Sequence, residues 1–120
     1  MVDDEPDITV TLKTALEDSG FFQVDTFNDA ESALCIFRPD VYDLALLDIR
    51  MPEMNGFQLC RKLRSIDYKI KICFLTAANL AHYRETDSDV INDLGIQCFI
   101  FKPINNKDLV STLKAILLQK

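Results

Sequence analysis

The sequence predicts an α/β domain in which a parallel sheet is covered by helices on both faces. Three observations carry that prediction. Short apolar runs alternate with stretches of helical period along the whole chain. "LALL" (44–47) is continuously apolar, as a strand buried on both faces should be, and "KICFLT" (71–76) and "QCFIF" (97–101) read as further strands of the same kind. Each run ends in a polar or charged group, and in a parallel sheet those ends share one edge.

The elements follow in order. "MV" precedes the acidic "DDE", so the first strand is expected to be a stub: either residues upstream complete it, or the domain starts short and is less stable for it. From Pro6 to Ser19, the residues Ile8, Leu12, Ala15 and Leu16 share one helical face, with Pro at the start and Gly20 just beyond the end. "FFQVDTF" (21–27) alternates like a strand. Asn28, with Glu31 three residues on, predicts the cap of a second helix closed by Pro39. After "LALL", a helix runs from Phe57 to about Ile66, carrying Leu59, Leu63 and Ile66. "KICFLT" is the fourth strand. A helix between Tyr83 and Leu94 ends at Gly95, and "QCFIF" is the fifth strand. Asn105 caps a last helix with Leu109, Leu113, Ile116 and Leu117 on its inner face. No linker or repeat interrupts the chain, so residues 1–120 are expected to form one domain.

Composition narrows the function classes. A hydrophobic fraction of 48% supports a full core, and the apolar runs are too short to span a membrane. No signal-peptide pattern opens the chain. A net charge of −6 without a basic block argues against direct nucleic-acid binding. Cys35, Cys60, Cys73 and Cys98 form no C-x-x-C and lie far from the lone His82, so the expectation is four reduced, structural thiols in a cytoplasmic protein.

The strand ends bring together Asp3, Asp4 and Glu5 after the first strand, Asp48 after the third, Thr76 at the end of the fourth and Lys102 with Pro103 after the fifth. Crowded carboxylates repel one another, and a cation or the Lys102 ammonium offsets this. Oxygen ligands suit Mg²⁺. Such a cluster suits phosphoryl transfer, with a carboxylate as nucleophile and the metal and lysine neutralising phosphoryl oxygens. Taken singly, each group has a plainer reading: helix-start acids, a turn residue, a β-branched strand end, a solvated lysine. Pro103 reads here as a plain loop stop. Met51 and Met54 read as packing and His82 as a loop residue.

"VDDEP" (2–6), "LLDIRMPEMNG" (46–56), "LTA" (75–77) and "FKP" (101–103), in this order and each after a predicted strand, resemble the marks of response-regulator receiver domains. The resemblance covers nearly the whole chain. It implies a flavodoxin-like doubly wound sheet of five parallel strands in the order 2-1-3-4-5, here with a truncated first strand. It implies a phosphoacceptor of two-component signalling, a switch and not an enzyme. By position, Asp48 resembles the phosphoacceptor, Asp3 and Asp4 the Mg²⁺-binding pair, and Arg50 the residue lending its backbone carbonyl to the metal. Thr76 resembles the switch hydroxyl, Lys102 the phosphate-contacting lysine, and Phe99 the aromatic that changes rotamer. Implied partners are a histidine kinase or phosphotransfer domain and a second copy, through the face of the fourth helix, fifth strand and fifth helix. Four departures stand out: the short first strand, the 26-residue step from Thr76 to Lys102, Phe99 without a tyrosine hydroxyl, and "GIQCF" before the last strand. Ala78 cannot orient a water, which implies slow self-dephosphorylation. Two other classes compete. An aspartate-nucleophile phosphohydrolase would want a second Asp where Arg50 stands, and a flavin carrier would want a Ser-, Thr- or Gly-rich loop where "DDEPD" stands. A receiver-like module that signals without phosphate is the third alternative.

Overall fold

The computed structural model describes residues 1–77 and 96–119, with residues 76 and 96–98 described by their backbone. Its elements are α1 (Pro6–Asp18), α2 (Ala30–Ile36), β1 (Leu44–Leu47), α3 (Gly56–Ile66), β2 (Lys71–Thr76), β3 (Ile96–Phe101) and α4 (Asn106–Leu118). The strands pair in parallel in the order β1-β2-β3. A register shift between Ile72 and Cys73 skips Gln97, within the "GIQCF" stretch.

Side chains of successive strand residues point to opposite faces, which sorts the core into two layers. Ala45, Leu47, Ile72 and Phe74 pack with Ala30 and Ala33 of α2 and with Leu59 and Leu63 of α3. Leu46, Cys73 and Leu75 pack with Leu12 and Leu16 of α1 and with Leu109, Leu113 and Ile116 of α4. Helices on both faces explain why the strands read as unbroken apolar runs. Met51 and Met54 pack against the first layer, as expected.

The predicted first and second strands appear as single bridges. Val2 pairs in parallel with Phe27 on one side and Leu47 on the other. The rest of "FFQVDTF" forms no strand, because Val24 turns its backbone to α1: its N–H donates to Glu17 Oε2 (3.1 Å), and its C=O accepts from Lys13 Nζ.

Two other expectations change. Asp29, not Asn28, caps α2, its carboxylate accepting from Ser32 N–H at 2.7 Å. Asn28 is engaged elsewhere, its Nδ2 donating to Asp3 O and to Thr9 Oγ1, both at 3.0 Å. Cys73, expected as a reduced thiol, is disulfide-bonded, and in the register Cys98 stands across from it. Cys35 and Cys60 are free. Burial pushes the Cys60 thiol up to about 11, with Arg64 and Arg61 pulling weakly the other way. Asn55 closes a full capping box with Gln58 at the start of α3, and Asn105 caps α4. The predicted helix between Tyr83 and Leu94, His82 and Ala78 lie outside the described residues.

Candidate functional site

The site stands where the stub and the strands end. Val2 N–H donates to Leu46 O and Asp48 N–H to Val2 O, both at 2.9 Å, so the stub and β1 run in step and deliver Asp3 and Asp48 side by side. Both are nearly enclosed, Asp3 at 2% exposure and Asp48 at 5%. Asp3 is fixed at every polar atom. Its N–H donates to Phe27 O (3.1 Å), its C=O accepts from Asn28, Oδ1 accepts the Glu5 N–H (3.0 Å) and Oδ2 accepts Lys102 Nζ (2.7 Å). Lys102 follows β3 and precedes a cis Lys102–Pro103 bond. Its ammonium also lies 3.6 Å from Glu5 Oε1 and 3.7 Å from Asp48 Oδ2. Burial works to lower the pKa of this amine. The hydrogen bond and charge of Asp3, with the charges of Asp48 and Glu5, outweigh it and hold the pKa above its ordinary value.

One carboxylate oxygen from each of Asp3, Asp4, Glu5 and Asp48 falls within a single cluster whose members all lie within 4.8 Å of one another. An all-oxygen donor set of this kind fits a hard divalent cation such as Mg²⁺. The segment behind Asp48 is tight. A Cβ on Gly56 would stand 2.3 Å from the Asp48 carbonyl oxygen, so no side chain fits there. Glu53, in the same loop, adopts φ 68°, a left-handed conformation that L residues seldom take. The loop's N–H donors at Met54 and Gly56 are already committed, to Pro52 O (2.7 Å) and Ile49 O (2.8 Å).

A family model described as the response regulator receiver domain matches residues 1–114. The chain belongs to the response regulator receiver family. It is 36% identical over 115 residues to the response regulator GtcR of Aneurinibacillus migulanus, covering 96% of this chain and 45% of that protein. It is also 36% identical over 117 residues to the transcriptional regulatory protein CpxR of Escherichia coli, covering 98% of this chain and 47% of that one. The chain thus spans less than half the length of these curated relatives. A CheY-like receiver domain from Methanospirillum hungatei superposes with a TM-score of 0.83 at 30% identity, covering 97% of this chain and 89% of the other. The non-phosphorylated HemR receiver domain of Leptospira biflexa gives 0.83 at 28%, covering 99% and 92%. The expected α/β receiver architecture, a parallel sheet with helices on both faces, is thereby shown. The expectation of no nucleic-acid partner gains no support, since several relatives are named as transcriptional regulators.

In this receiver domain, the predicted residues Asp3, Asp4, Asp48 and Lys102 come together. Thr76 ends β2, the strand beside β1, and its side chain lies outside the described residues. Arg50 stands exposed, two residues past Asp48. Phe99 is half-buried and stacks on Phe74, with centroids 5.4 Å apart and planes at 21°. Sequence reasoning read Asn28 only as a helix cap and Gly56 only as part of the turn behind Asp48, and placed Glu5 only in the acidic run. Gly56, at the end of "MPEMNG", had a visible signal as a turn glycine. Asn28 had none, because its partners are 25 and 19 residues away. Among the described residues, no helix is long and apolar enough to cross a membrane.

Proposed function

We propose that the chain is a phosphoacceptor receiver of a two-component relay, taking a phosphoryl group on Asp48 from a phosphohistidine of a histidine kinase or phosphotransfer domain. The observation that carries this reading is the Asp48 carboxylate, enclosed at the tip of β1, 3.7 Å from Lys102 Nζ and clustered with Asp3, Asp4 and Glu5. An Asp48 oxygen forms the new O–P bond, the P–N bond to the imidazole breaks, and that nitrogen takes up a proton. Asp3, Asp4, Asp48 and the Arg50 carbonyl would hold Mg²⁺, which would supply charge neutralisation for the phosphoryl oxygens. Lys102 pairs with the phosphoryl oxygens and the Thr76 hydroxyl donates to one of them. Phe99 then changes rotamer. The face of the predicted 83–94 helix, β3 and α4 changes its preferred partner or pairs with a second copy. Residues 1–120 make one receiver domain that switches and turns over no substrate, in the cytoplasm. The Phe27 and Val2 bridges support a five-strand order 2-1-3-4-5 with a first strand of minimal length.

Incubation with a small phosphodonor and Mg²⁺, read by intact mass, tests this. The parent chain gains about 80 Da, one phosphoryl group, and Asp48→Asn gains nothing. No gain in the parent leaves a receiver-like module that signals without phosphate, and release of phosphate over many turnovers marks a hydrolase.

A further inference from the structure

The peptide between Asp3 and Asp4 is held from behind by a side chain distant in sequence. Asn28 Nδ2 donates to Asp3 O and to Thr9 Oγ1, both at 3.0 Å. The Thr9 hydroxyl gives its proton to Pro6 O (2.9 Å), so its oxygen is left to accept, and the Asp3 carbonyl can only accept. Two acceptors thus fix which end of the Asn28 amide points inward. Thr9, near the start of α1, is 2% exposed. The backbone on either side of Asn28 is anchored too: Phe27 O accepts the Asp3 N–H at 3.1 Å, and Asp29 caps α2. Asn28 therefore ties the entry to α2 and the start of α1 together at the Asp3 carbonyl.

A peptide unit is planar, so a hydrogen bond on Asp3 O also sets the direction in which the chain enters Asp4. Asp4 has the greatest need of this. The Asp3 carboxylate is fixed by the Glu5 N–H and Lys102, and Asp48 by its own N–H and the Lys102 charge. Among the described residues, the Asp4 carboxylate has no hydrogen bond or ion pair of its own, yet it brings an oxygen within 4.8 Å of the other acids. We propose that Asn28 is a positioning residue for a divalent cation: acting through the plane of the Asp3–Asp4 peptide, it aims the Asp4 carboxylate into the cluster. Its amide touches neither the ion nor a phosphoryl group. Thr9 acts one step further back, by holding Asn28. This role rests on the reading of the acid cluster as an Mg²⁺ site.

The test is a calorimetric titration with Mg²⁺, without any phosphodonor, with Tm measured on the same proteins. Asn28→Leu keeps the bulk of the side chain and removes the donor, and its Kd for Mg²⁺ is expected to rise about tenfold. Thr9→Val keeps the shape and removes the acceptor, with an expected rise of about threefold. The double variant should bind no more weakly than Asn28→Leu, because Thr9 reaches Asp4 only through Asn28. Ile116→Val, in the core under α4, should lower Tm and leave Kd unchanged. A parent-like Kd in Asn28→Leu, additive losses in the double variant, or a Kd that rises in Ile116→Val as much for the same loss of Tm would each overturn the proposal and leave the Mg²⁺ site standing. A parent chain that binds no Mg²⁺ would overturn the reading of the cluster and the role of Asn28 with it.

Discussion

Asp48 is held as much by its backbone as by its carboxylate. Its N–H is committed to Val2 O, and its carbonyl stands where Gly56 leaves no space for a Cβ. Gly56→Ala therefore pushes the chain behind the carboxylate instead of filling a void, and overpacking of this kind costs about 1–3 kcal/mol. Lower denaturation midpoints, together with slower acquisition of the phosphoryl mass, are the expected outcome. An unchanged midpoint would mean that the loop yields freely. The residues of this site were legible in the sequence because strand ends are local features: Asp48, Thr76 and Lys102 each follow an apolar run. What surrounds them was not legible. Asn28 and Asp29 are equally good caps on paper, and only the folded chain assigns Asn28 to Asp3 and Thr9. Cys73 read as a buried hydrophobe because its neighbour in the register is 25 residues away.

Short apolar runs came close to their expected bounds: "LALL" and "KICFLT" are β1 and β2 to the residue, and β3 starts at Ile96, one residue before "QCFIF". "FFQVDTF" failed for a physical reason. Its inner neighbour offers only Met1 to Asp3 for pairing, and Val24 finds partners on α1 instead. At the opposite edge, α4 ends against a cation. Lys71, at the start of β2, donates to Ile116 O (2.7 Å), which also accepts the Gln119 N–H, and to Gln119 O (2.6 Å), so a cation stands at the negative end of the helix. Lys71→Met keeps the aliphatic stem and removes this cap. The expected loss is about 1 kcal/mol, read by denaturant unfolding, with faster amide exchange in the last turn of α4. A change confined to β2 would contradict it.

At the scale of the whole molecule, titration sets the range of stability. The Asp67 carboxylate is held below its ordinary 3.8 by the Asp40 N–H and then the Lys69 N–H, and Asp29 by the Ser32 N–H and hydroxyl. Groups depressed in this way stabilise the fold above the ordinary carboxylate range, and that contribution is lost as pH falls through their folded values. Lys102 works in the other sense: its contribution is present below its ordinary 10.5 and lost as pH rises through the raised folded value. Tm should therefore fall toward acid pH as these carboxylates are protonated, and toward alkaline pH as Lys102 loses its proton. The alkaline fall should be weakened in Lys102→Met. The Lys102 ammonium also means that the enclosed acids meet a built-in counter-ion during folding, before any divalent ion arrives. Chelation by EDTA should accordingly shift Tm by less than about 2 °C. On the proposed reading, a domain that carries its own counter-charge would need metal for phosphoryl transfer and not for holding its architecture.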